Sequence, residues 1–75
     1  MKELGWDRVI LSDLRHEHLI AEIYYEGRFI ALLDREDGPE AVHITLQENS
    51  GASGIRIPLA DLLMQLQQAQ DDLIA

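Results

Sequence analysis

The stretch from Leu19 to Leu33, LIAEIYYEGRFIALL, restricts the folds open to this chain more than any other. Its β-branched and aromatic residues flank Glu26-Gly27, a pair suited to a tight turn, so it predicts a β-hairpin. Side chains alternate across a strand, and here both alternating sets are rich in apolar residues. A chain of 75 residues makes one domain at most, and near this size it buries only roughly 60% of the surface its unfolded form exposes. It has material to cover one face of such a hairpin. The other face needs either a fold-back of the N-terminal segment around Trp6 or a partner.

The hairpin register follows from where the charged Glu22 would sit. A two-residue loop at Glu26-Gly27 would place Glu22 among Ile20, Phe29, Ala31 and Leu33. A three-residue loop, Tyr25-Glu26-Gly27, instead pairs Ile23 with Phe29, Ala21 with Ala31 and Leu19 with Leu33, with Gly27 in the left-handed position. That register gathers six apolar side chains on one face, and a slip of one residue would scatter them. The opposite face then carries Ile20, Glu22, Tyr24, Arg28, Ile30 and Leu32, with Tyr24 directly across from Arg28.

Around this hairpin the chain reads as a meander. Trp6 to Leu14 predicts a first strand and Asp13–His16 a turn, and the hairpin strands run from about Glu17 to Tyr25 and from Arg28 to Asp34. Arg35-Glu36-Asp37-Gly38-Pro39 is turn-forming by residue type. Ala41 to Gln47 alternates, with Val42, Ile44 and Leu46 on one side and His43 and Thr45 on the other. ENSGASG, residues 48–54, predicts a loop, and residues 54–57 a short fifth strand. Pro58 suits a first helical turn, and Leu59 to Ile74 carries an apolar stripe of Leu59, Leu62, Leu63, Leu66, Ala69 and Leu73. The expected fold is therefore α+β: an antiparallel four- to five-stranded β-meander with one C-terminal amphipathic helix packed on one face, forming a single small domain over residues 1–75.

Charge and composition narrow the function. The 14 acids against 6 bases give a net charge of −8, which disfavours nucleic acid and anionic membranes, because phosphate contacts need clustered Lys and Arg. The same charge can steer a basic protein partner. The chain has no cysteine, so thiol chemistry is excluded. MKELGWDRV lacks the apolar centre of a signal peptide, and no run approaches about 18 apolar residues. The expectation is a cytoplasmic protein.

Three clusters invite chemistry. His16 and His18, two apart on a strand, could share a metal with His43 if their strands are neighbours, and three imidazoles can hold zinc with one position open. This is the alternative reading, a small metal-binding protein or enzyme. Asp34 to Gly38 has the acid density of a calcium loop but lacks the EF-hand spacing. Ser50 to Gly54 is glycine-rich but has no following Lys and no helix behind it, unlike a phosphate loop. With no base beside a serine, the expectation is a non-enzymatic protein without a cofactor.

The segment AEIYYEGRFIALLDREDG, followed by IPLADLLMQLQQAQDDL, resembles small bacterial immunity-type proteins of polymorphic toxin systems. The resemblance spans roughly Ala21 to Leu73. It implies a toxin-neutralising inhibitor that uses acidic surface against a basic partner, with no residue-level role carried over. The reading from the residues is an acidic protein-binding module or a homodimer. Its interface would comprise Ile20, Tyr24, Arg28, Ile30 and Leu32, and its partner would be another protein or a second copy.

Overall fold

The computed structural model describes residues 2–3, 5–46 and 56–75, and shows an α+β fold in two layers. The strands are β1 (Lys2–Glu3), β2 (Trp6–Leu11), β3 (Ile20–Tyr25), β4 (Arg28–Asp34) and β5 (His43–Leu46). They form an antiparallel meander in the order β1-β2-β3-β4-β5, with β1 only two residues long. The helix α1 (Leu59–Ile74) packs on one face, which is called the inner face below. The N-terminal segment joins the sheet rather than wrapping its reverse side. Trp6 is 1% exposed and belongs to the inner core.

The hairpin register differs from the expected one. Tyr25 pairs with Arg28 and Tyr24 with Phe29, so the loop is the two-residue Glu26-Gly27. Glu26 (φ 50°) and Gly27 (φ 80°) are both left-handed, the conformation whose twist matches the flanking strands. The objection to this loop, that it strands Glu22 among core residues, is answered by a β-bulge. Pairing shifts after Tyr24–Phe29, so that Ile23 faces Ala31, Glu22 faces Leu32 and Ala21 faces Leu33. Ile30 is the extra residue, and it is turned into the core at 8% exposure. A bulge inserts one residue and restores the alternation beyond it. Ala21, Ile23, Ala31 and Leu33 thus share the inner face as expected, whereas Phe29 and Ile30 exchange faces.

Side-chain hydrogen bonds set the strand ends. β2 stops at Leu11, short of the expected Leu14. Beyond it the Asp13 carboxylate accepts from the Arg15 backbone N–H at 2.8 Å and meets His16 Nδ1 at 2.9 Å, a local turn that competes with ladder pairing. β3 begins at Ile20 rather than Glu17. The N–H groups of Glu17 and His18 donate to the two oxygens of Glu36, at 2.7 and 3.0 Å, instead of to a neighbouring strand. β5 starts two residues late because Ala41 N–H closes a turn on the Gly38 carbonyl. Of the expected fifth strand, Arg56 and Ile57 lie outside any strand, and residues 54–55 fall outside the described residues, as does the 48–54 loop.

The helix has the expected limits, but its buried stripe is rotated. Ala69 and Leu73 are buried, Leu62 and Leu66 are half-buried, and the stripe is completed by Gln65. Leu59 and Leu63 are 68% and 57% exposed, contrary to expectation. The cause is Arg8 of β2, which the pairing with Ile23 directs to the inner face. Its guanidinium donates to Gln65 Oε1 at 2.6 Å and lies 3.9 Å from Asp72. A cation on the core side must be met by polar groups, so the helix turns Gln65 toward β2. Asp72 in the last turn, unfavourable for the helix dipole, is offset by Arg8, and Arg35 adds a 3.4 Å hydrogen bond to the Leu73 carbonyl.

Candidate protein-binding surface

The alternation of β2, β3 and β4 assigns the reverse, outer face. Val9 pairs with Glu22 and Leu11 with Ile20 across β2 and β3, and Tyr24 pairs with Phe29 across β3 and β4. Among the described residues, no helix packs on this side, since α1 contacts only the inner face.

The two ends of the outer face differ. At one end Ile20 is fully buried. The β2–β3 connection crosses here, tied to the β4–β5 turn by Glu36 and its two backbone donors. The N–H group of Glu17 does most to hold the Glu36 carboxyl below its ordinary 4.5; burial opposes it, and the His18 N–H adds a lesser lowering. His16 is raised above its ordinary 6.5, first by its hydrogen bond to Asp13 and also by the charges of Glu36 and Asp34.

At the hairpin end the face stays open. Val9 is 41% exposed, and Tyr24, Phe29 and Leu32 are half-buried. The Tyr24 and Phe29 rings meet edge-on, with centroids 5.7 Å apart at 75°. This arrangement fixes both rings at little entropic cost to a later contact. The Tyr24 hydroxyl donates to Glu22 Oε1 at 3.0 Å, and this hydrogen bond, with lesser help from burial and charge, raises the Tyr24 pKa. The result is a rigid aromatic and aliphatic patch beside a carboxylate.

The five residues chosen from sequence are not brought together. Ile20 lies on the outer face but is fully buried, and Ile30 is core because of the bulge. Arg28 is exposed but stands across from Tyr25, not Tyr24, on the inner side. Tyr24 and Leu32 remain on the open part. Sequence reasoning missed Val9 and Phe29. The signal for Val9 was its alternation with Arg8 and Ile10 in a strand already expected. Phe29 could be placed only by knowing where the bulge falls.

The histidine cluster does not form. His16 is engaged with Asp13, His43 Nδ1 lies 3.5 Å from Asp37, and His18 is in the exposed connection. Among the described residues, no three His, Asp or Glu side chains converge in a way that could hold a metal. The reason is local: residues 16–18 are withdrawn from β3 by Asp13 and Glu36, so the two-residue strand spacing never arises. In the Asp34–Gly38 turn, carboxylate oxygens accept from backbone N–H groups instead, Asp34 from Glu36 at 3.2 Å. No helix among the described residues is long and apolar enough to cross a membrane.

No protein-family model, curated protein or solved structure matches the chain.

Proposed function

We propose that this chain is a non-enzymatic, cytoplasmic protein-binding module that docks a partner protein on the open end of its outer sheet face. The observation that carries this reading is the patch of Val9, Tyr24, Phe29 and Leu32, apolar and partly exposed on a side where α1 does not pack. Tyrosine and phenylalanine of this kind anchor interfaces because they contribute large area with few rotors to freeze. Asp7 and Glu22 border the patch, and the net charge of −8 favours a partner whose docking surface is basic around an apolar centre. Neutralisation of a toxin, the role the sequence resemblance implies, is one form of such binding.

The test is affinity capture from the native host, followed by titration of the purified partner against variants. Val9→Asp and Tyr24→Ala should each weaken binding by roughly tenfold or more, the range of a hot-spot loss. Substitutions on the far side of the molecule, such as Leu63→Glu, should leave it unchanged. A partner whose affinity ignores Val9 and Tyr24 in variants that still fold would overturn the assignment of this face.

A further inference from the structure

Glu22 adjoins three of the four side chains of the open outer patch. A row crosses the sheet on that face from Val9 through Glu22 and Leu32 to Thr45, each paired with the next. Tyr24 lies two residues along β3 in one direction, and the buried Ile20 two residues along in the other. Cross-strand partners share a face, as do residues two apart in a strand. Apolar or aromatic side chains therefore stand on all four sides of this half-buried carboxylate. The Tyr24 hydroxyl engages its Oε1, which leaves Oε2 to an incoming donor.

The fold places the chain's 6 bases elsewhere. Arg8 is on the inner face with Gln65, and Arg35 reaches the Leu73 carbonyl. Arg15 lies 4.0 Å from Asp13 in the β2–β3 connection. Arg28 stands across from Tyr25, and Arg56 lines a hollow with Tyr25, Ile57 and Pro58 before α1. Lys2 pairs with Asp7, not with Glu22.

We propose that the partner presents an arginine flanked by apolar residues, and that its guanidinium seats on Glu22 beside the Tyr24 ring. This deepens the reading of the outer face as a docking surface and rests on it. A wholly apolar partner that covered Val9, Leu32 and Tyr24 would strip water from Glu22 and replace it with nothing, which offsets the gain from apolar contact. A partner that brings a cation to that point escapes the penalty. Glu22 thus makes a generally adhesive patch selective, by opposing every partner without the matching charge.

The surroundings favour arginine over lysine. A guanidinium is planar and weakly hydrated, so it can donate to a carboxylate while stacking on an aromatic ring. The Tyr24 and Phe29 rings are already held edge-on, and the Tyr24 hydroxyl already orients the carboxylate. Little ordering is left to occur on binding. The net charge of −8 draws such a basic partner in from a distance.

Selection of a displayed random peptide library on the full chain tests it, followed by titration of the selected peptides. Arginine beside apolar residues should be enriched. Replacing that arginine by alanine in the peptide, or Glu22→Gln in the protein, should each weaken binding by about tenfold, and the two losses should not add. Glu22→Gln keeps an oxygen for the Tyr24 hydroxyl, so far-UV circular dichroism should be preserved. Asp71→Asn, an exposed acid on α1, should leave affinity unchanged. Additive losses, or a selection that enriches lysine or no base at all, would overturn the proposal. If the selected peptides still respond to Val9→Asp and Tyr24→Ala, the docking face itself stands; peptides indifferent to both would remove the face and this inference together.

Discussion

The hairpin tip turns on one residue in an uncomfortable conformation. Glu26 holds φ 50° without being glycine, while its backbone N–H donates to the Gly5 carbonyl at 2.8 Å. A side chain with a Cβ in the left-handed region costs roughly 1–2 kcal/mol, and asparagine tolerates that region best after glycine. Glu26→Asn should therefore stabilise the fold by up to about 1 kcal/mol, read as a rise of roughly 4–8 °C in the thermal midpoint of a domain this size. Gly27 is needed for its φ of 80° alone, since an added Cβ would meet nothing within 4 Å. This tip also marks the limit of what sequence could reveal at the residue scale. The turn residues were legible, and the choice between loop lengths was argued from Glu22. That argument assumed an unbroken ladder, and a single inserted residue, Ile30, undid it. A bulge has no composition signature in IALL, where every residue is apolar and each fits either face.

At the scale of elements, Arg8 and Gln65 join β2 to α1. Gln65 is 4% exposed and its carboxamide oxygen accepts from the guanidinium, whose side chain is itself 9% exposed. Removing Arg8 leaves the buried Gln65 carboxamide without the guanidinium, and removing Gln65 costs Arg8 its hydrogen bond to the carboxamide while Asp72 stays beside it, at about 1–3 kcal/mol in either case. Gln65→Leu should thus destabilise more than its added apolar volume suggests. Arg8→Leu combined with Gln65→Leu should recover much of the loss, because a buried polar pair is often replaceable by well-packed apolar groups. Chemical denaturation of the two single variants and the double variant measures this as a coupling energy. The helix limits, four of the strands and the side that α1 covers were all readable from periodicity and from Pro58. The helix's rotation was not, since it depends on a charged residue in one element meeting an amide in another. Read together, a cation between Trp6 and Ile10 and a glutamine among leucines were the available hint.

At the scale of the molecule, the sheet's closed end responds to pH through three groups. Asp13 and Glu36 are held below their ordinary 3.8 and 4.5, mainly by hydrogen bonds from His16 and from backbone N–H groups, so each stabilises above its ordinary value and loses that effect as pH falls through its folded value. His16 is raised above 6.5, chiefly by its hydrogen bond to Asp13. Its contribution is complete below 6.5 and fades as pH climbs through the folded value. All three act together between about pH 4.5 and 6.5. Amide exchange at Glu17 and His18, corrected for intrinsic rates, should be slowest in that window and accelerate on either side of it. Protection that persists on acidification to about pH 2, well below the ordinary carboxylate range, would mean that Glu36 does not tether the connection.

β5 has one further implication, for how the protein behaves in a tube. Its four residues, His43-Ile44-Thr45-Leu46, carry no lysine or proline, the usual means of keeping a sheet border from recruiting strangers. What defends that border is brevity and the diffuse electrostatic repulsion of the whole surface, which dissolved salt shortens to about 8 Å at physiological strength. Colloidal stability here is thus a property of the buffer more than of the strand.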